Sequence, residues 1–138
     1  MSTVERITAS IEKDLLERFE SYVSSRGFPS RSEAIKNLMR SALVEQEWQK
    51  GKEVAGAISL IYDHHKSGVL QKLTETQHQF EKLITCSQHV HLDHYNCMEV
   101  VIVRGRVTEI RRLLELINAI KGIKHSSLMV GTVGSDVP

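Results

Sequence analysis

Residues Arg6 to Ile11 alternate strictly, with Ile7, Ala9 and Ile11 on one side and Arg6, Thr8 and Ser10 on the other. A period of two is that of an amphipathic β-strand. No other strand-like segment occurs before about Val54. An isolated strand is not stable in water, so this one is expected to pair with its own copy in a second subunit. The chain is therefore expected to assemble, and every later reading has to allow for a dimer at least.

Two helices follow. Leu15, Leu16, Phe19, Tyr22 and Val23 fall at helical spacing, and Arg26-Gly27 ends the run with a glycine where the left-handed conformation is usual. Phe28-Pro29 is the turn. Ser30-Arg31-Ser32-Glu33 has the Ser-x-x-Glu form of a capping box, ahead of Ala34, Ile35, Leu38, Met39, Ala42 and Leu43 on one stripe. This second helix is expected to reach about Gln49. Gln46 to Glu53, with Trp48 and Gly51, reads as a polar connector between a domain of residues 1–50 and one of residues 51–138.

Beyond it the pattern predicts strand (Val54 to Tyr62), helix (Gly68 to Phe80), strand (Leu83 to Leu92), strand (Cys97 to Arg104), helix (Thr108 to Ile120) and strand (Ile123 to Val133). That order is βαββαβ, the split-βαβ arrangement of ferredoxin-like folds. Gly105 and Gly122 sit at joints, Ile110, Leu113, Leu114 and Ile117 make an apolar helix stripe, and the tail from Gly134 is expected to fray. The fold class is α+β.

The chemistry gathers in His89-Val90-His91-Leu92-Asp93-His94-Tyr95-Asn96-Cys97, where three imidazoles and a thiol occupy nine positions. Asp93 to Asn96 reads as the turn of a hairpin, so His89 and His91 share one strand face and Cys97 begins the return strand nearby. Imidazole nitrogen and thiolate sulfur suit zinc, copper or nickel and not magnesium or calcium, which want oxygen. His78, on the preceding helix, is the nearest upstream nitrogen donor, from its own or a neighbouring subunit. Any one of these residues alone is better explained as a surface histidine or a buried small hydrophobe. Their clustering at one hairpin favours a site.

Composition sets limits on partners. The net charge is +1, and over residues 1–50 eight Lys/Arg balance eight Asp/Glu, so any DNA affinity must come from locally placed groups. No apolar run opens the chain and none is long enough to span a bilayer, which predicts a cytoplasmic protein. In that compartment Cys86 and Cys97 are not expected to pair with each other.

Strand, helix, turn and helix resemble the ribbon-helix-helix dimers that place paired strands in the major groove. There Arg reads guanine and Thr or Ser bonds either edge. The corresponding side chains are Arg6, Thr8 and Ser10, with Arg31 and Ser32 at the start of the second helix holding a phosphate. Joined to a βαββαβ domain of the ACT type, this resembles the nickel-responsive regulators called NikR. The resemblance rests on Arg31-Ser32-Glu33-Ala34-Ile35, Thr76-Gln77-His78, and His89-Val90-His91 followed by Cys97.

It implies one Ni(2+) per subunit, bound in a square plane by His89, His91 and Cys97 of one subunit and His78 of another, with Glu99 orienting a ligand imidazole. Such a plane disfavours zinc, which prefers a tetrahedron, but not copper. The family's assembly is a homotetramer, a dimer of dimers reading palindromic double-stranded DNA, usually to repress nickel uptake. Two positions depart from the pattern. An interdomain cation site built from two carboxylates would here use Glu33 and Asn37, and a paired basic loop reads His64-His65-Lys66-Ser67, keeping Lys66 for a phosphate. His64, His65, His94 and His125 read as surface histidines that offer at most weaker metal sites.

Two rival readings remain open at this point. One is an ACT-type regulator that responds to a small molecule such as an amino acid and not to nickel. The other is an enzyme with a catalytic zinc, which lacks a placed acid, base or nucleophile motif; the chain is read as no enzyme.

Overall fold

The computed structural model describes residues 3–138; Met1 and Ser2, the start of the expected N-terminal domain, lie outside the described residues. The elements, in order, are α1 (Lys13–Ser25), α2 (Arg31–Lys50), β1 (Glu53–Asp63), α3 (Val69–Gln79), β2 (Ile84–His91), β3 (Asn96–Arg106), α4 (Val107–Asn118) and β4 (Ile123–Val130). The chain divides into two compact units, one ending at Met39 and the other beginning at Arg40, with α2 contributing to both.

In the first unit the local signals act as expected. Gly27 adopts φ 73°, and the N–H groups of Gly27 and Phe28 return to the carbonyls of Ser24 and Val23, so the last turn of α1 keeps its acceptors satisfied. Ser30 caps α2 by accepting the Glu33 N–H at 3.2 Å. The expected strand is another matter. Residues 3–12 carry no regular secondary structure, and Ile7 and Ile11 remain 70% and 49% exposed. Among the described residues of this unit there is no second strand for Arg6 to Ile11 to pair with, the same lack from which pairing with a copy is expected.

In the second unit β1 lies between β3 and β4, β2 pairs with β3, and all three pairings are antiparallel, giving the order β2-β3-β1-β4. This is the split-βαβ topology. Ile58, Leu60 and Tyr62 of β1 and Val101 and Val103 of β3 face Leu73 of α3 and Ile110, Leu113 and Ile117 of α4, all at 2% exposure or less. The spacing of three and four in α4 puts its apolar stripe on the sheet. Each such side chain contributes about 1.5–3 kcal/mol by leaving water.

Two expectations are corrected here. Gln46 to Glu53 is not a connector throughout, because α2 continues to Lys50 and Trp48 is 5% exposed, its indole Nε1 donating to the Gly131 carbonyl at 2.8 Å. The final strand stops at Val130 and not Val133, and the Gly131 carbonyl just past it accepts from Trp48. Contacts also reach the C-terminal residues. Thr132 donates to the buried Glu47 carboxylate at 3.1 Å, Lys52 and Asp136 pair at 3.8 Å, and Arg40 Nε reaches the Pro138 carbonyl at 2.7 Å.

Candidate metal centre

The hairpin of β2 and β3 brings the donors together. Its turn is held by one carboxylate: Asp93 Oδ1 accepts the N–H groups of Tyr95 and Asn96 at 2.8 and 2.7 Å, and the Asn96 amide bonds both carboxylate oxygens. These hydrogen bonds, the Asn96 side chain first, hold the Asp93 carboxyl at about 2. With the turn set, His91 lies opposite Cys97 and His89 opposite Glu99. Tyr62 of β1 lies across Cys97 from the other side.

Strand alternation puts all of these on the face that α3 and α4 cover. Cys97 is fully buried, whereas His89 and His91 stand exposed at the sheet edge. Cys97 Sγ is 3.4 Å from His91 Nδ1, and the His89 and His91 rings are 5.0 Å apart. The buried Tyr62 hydroxyl is 3.1 Å from His89 Nδ1, with the two rings edge to face. Burial pushes the Cys97 thiol up, and burial followed by the charges of Glu99 and Cys97 raises the Tyr62 phenol, so both hold their protons at neutral pH.

His64 is the residue that sequence reasoning set aside. Its Nδ1 is 2.9 Å from Cys97 Sγ and its ring is 5.1 Å from that of His91, so His64, His91 and Cys97 place one donor atom each within 4.8 Å of one another. Burial, then the neighbouring charges of His65 and His91, lower its pKa and favour the neutral ligand form. No sequence signal marked it: His64 follows by two residues Tyr62, which becomes the strand partner of Cys97 only in the folded sheet. Asp63, His64 and His65 form a second such group on the same turn.

His78 stands apart from these donors within the chain. It lies on α3 with 82% of its side chain exposed and Nδ1 3.8 Å from Glu81 Oε2. Its neighbour Gln77 points the other way and donates to Glu99 Oε2 at 3.0 Å. Glu99 is 9% exposed and burial raises its pKa. The Glu99 carboxylate thus takes its hydrogen bond from the Gln77 amide, while the imidazole across from it is bonded to Tyr62.

The remaining candidates lie elsewhere. Arg6, Thr8 and Ser10 are exposed, as are Ser32 and Lys66. Arg31 Nη2 is 3.5 Å from Glu20 Oε1, and Glu33 takes Lys36 Nζ at 2.9 Å one residue before Asn37. His94 stacks near His65 at 5.1 Å, and His125 is exposed on β4.

Two nitrogens and a sulfur at this spacing fit a thiophilic transition metal, and residues 55–130 match the family model described as the NikR C-terminal nickel-binding domain. The chain belongs to the NikR family. Similar proteins match over nearly their whole length and bear the provisional name of nickel-responsive regulator. One from Syntrophus aciditrophicus is 44% identical over 97% of this chain and 98% of its own. One from Solibacter usitatus is 42% identical over 99% of each. An uncharacterised Thermotoga maritima protein of known structure aligns with TM-score 0.53 over 57% of this chain and 98% of its own, at 10% identity, which is a likeness of fold alone. In this NikR-family chain the matched residues include β2, β3 and most of β1, where the donors stand.

Proposed function

We propose that this chain is a nickel-responsive transcriptional regulator, a DNA-binding repressor of nickel uptake, working as a cytoplasmic homotetramer. The observation that carries the reading is the convergence of His89, His91 and Cys97 on one sheet face in a chain whose matched family domain is named for nickel binding. Residues 1–50 would read palindromic double-stranded DNA and residues 51–138 would hold one Ni(2+) per subunit and build the tetramer.

The ion would be held by His89, His91 and Cys97 of one subunit and His78 of a neighbour; bound there, it supplies a positively charged bridge between subunits. The exposure of His78 supports donation to a neighbour, since a helix residue 82% open to solvent is free to meet another chain. Tyr62 orients the His89 ring through Nδ1, which leaves Nε2 for the ion. Glu99, tied to Gln77, joins the strand that carries Cys97 to the helix that carries His78. Assembly is supported by apolar surface: Ile7 and Ile11 at the N-terminus, and Val90, Ile102 and Met129 at 47%, 36% and 64% exposure on the second unit. No helix among the described residues is long and apolar enough to cross a membrane.

Arg6, Thr8 and Ser10 would contact base edges, and Arg31, Ser32 and Lys66 phosphates. A bridge between subunits favours DNA binding only by being stronger in the DNA-competent arrangement, and linkage then requires DNA to tighten nickel binding by the same factor. Glu33 and Asn37 would offer a carboxylate and a carbonyl oxygen to a secondary cation.

Mixing tests the sharing. His78→Ala and His89→Ala proteins each lack one ligand, yet heterotetramers formed after co-refolding should regain part of the planar nickel absorption that neither has alone. A mixture that absorbs no more than its components excludes a site shared between subunits.

A further inference from the structure

We infer that His64, His91 and Cys97 form a second metal site contained within a single chain, overlapping the proposed nickel set and taking a thiophilic divalent cation such as zinc or cobalt without a neighbouring subunit. This deepens the reading above and rests on its assignment of Cys97 and His91 as donors.

The geometry argues for it directly. Bonds of about 2.3 Å to sulfur and about 2.0–2.1 Å to nitrogen put two donors on one ion roughly 3.1 Å apart at a right angle and roughly 3.6 Å apart at a tetrahedral one. Cys97 Sγ stands 2.9 Å from His64 Nδ1 and 3.4 Å from His91 Nδ1, and all three atoms lie within 4.8 Å of one another. The His91 spacing lies within that range and the His64 spacing falls just below it, so an ion enters once the His64 ring draws back from the sulfur.

His64 is also aimed by the backbone. Asp63 Oδ1 accepts the His65 N–H at 2.9 Å and the Asp63 carbonyl accepts the Lys66 N–H at 3.2 Å, so the turn that follows β1 is closed and His64 folds back over the strand end beside Cys97. The partner on the far side is Tyr62, whose hydroxyl is engaged with His89 and leaves the His64 side of the thiol clear.

The two sets share His91 and Cys97 and cannot both be filled. Three same-chain donors and an open position suit an ion that accepts a tetrahedral arrangement with water as the fourth ligand. An ion held there spans no subunit boundary. It leaves His78 unused and so does not deliver the bridge on which gating depends. The choice between His64 and the neighbour's nitrogen is then a choice between silent and signalling occupancy.

The test uses full-length, tag-free protein stripped of metal, with His78→Ala removing the shared ligand. Titrated with Co(II), His78→Ala should bind one equivalent per chain, with a thiolate-to-cobalt band and the strong visible absorption of low-coordinate cobalt. Adding His64→Ala, or His64→Gln should the alanine variant fail to fold by circular dichroism, should weaken that binding at least tenfold. Cobalt affinity equal in the single and double variants, or no thiolate band in His78→Ala, overturns the inference. Failure of the function reading looks different: planar nickel absorption undiminished in the variant lacking both His78 and His64 would sink the shared site, whereas the cobalt comparison alone decides the His64 site.

Discussion

Replacing Tyr62 by Phe isolates one hydroxyl. The ring is 1% exposed and packs among Ile58, Leu60, Cys97 and Val101, and Phe keeps almost all of that contact. What is lost is the bond to His89 Nδ1 at 3.1 Å. A neutral hydrogen bond contributes about 0.5–1.5 kcal/mol net. His89 is exposed, so its freed nitrogen can bond water and no buried acceptor is orphaned; the stability loss in metal-free protein should sit near the low end, at about 0.5–1 kcal/mol. Metal affinity should fall further. Removing the partner that orients a ligand imidazole typically costs about 10–100-fold, equivalent to about 1.4–2.7 kcal/mol. Thermal unfolding of the metal-free protein gives the first quantity and nickel competition against a chelator of known affinity gives the second. Affinity within twofold of the parent, in a variant that melts within a degree or two of it, would refute the claim that Tyr62 sets the His89 ring.

Three further outcomes follow from the geometry. Because the Cys97 thiol is pushed up and holds its proton at neutral pH, nickel binding should release it, and apparent affinity should rise about tenfold per pH unit from this proton alone; pH-independent affinity between pH 7 and 8 would contradict a thiolate ligand. The Asp93 carboxyl is depressed from 3.8 to about 2, so the stability it lends the hairpin is present above the ordinary carboxylate range and lost as pH falls from about 4 through 2; Asp93→Ala should flatten that part of an acid-unfolding curve. Trp48→Ala should cost about 3–5 kcal/mol, since the indole is buried beside Gly56 and bonded to Gly131, and a denaturant midpoint that barely moves would show that α2 does not rely on it.

Much of the second unit was legible because each element is half-buried and so writes its period into the sequence. Ile58, Leu60 and Tyr62 alternate, Ile110, Leu113 and Ile117 recur at helical spacing, and the elements fall within three residues of where those patterns place them. The clustering of His89, His91 and Cys97 was legible for the same reason, since a hairpin turns sequence neighbours into facing residues. What escaped depends on tertiary approach. His64 joins Cys97 only because β1 runs beside β3, and nothing in His64-His65-Lys66 announces that pairing. Trp48 looked like part of a polar linker because its neighbours are Glu47, Gln49 and Lys50, while it is buried in the core of the second unit, beside Gly56 and bonded to Gly131, 83 residues on. The alternation at Arg6 to Ile11 is written in the sequence, but residues 3–12 carry no regular secondary structure in the single chain, because an isolated strand has no ladder to join.

The central claim is that nickel at His89, His91 and Cys97 governs the reading of DNA by Arg6, Thr8 and Ser10. Selection from a pool of random duplexes, with tag-free protein in equimolar nickel or in chelator at fixed salt, tests both halves at once. The account predicts a palindromic sequence enriched with nickel alone, enrichment abolished by Cys97→Ala, and a base preference at one position relaxed by about 1–3 kcal/mol in Arg6→Ala while nickel absorption is unchanged. The same sequence enriched equally in chelator, or no sequence enriched under either condition, would contradict it.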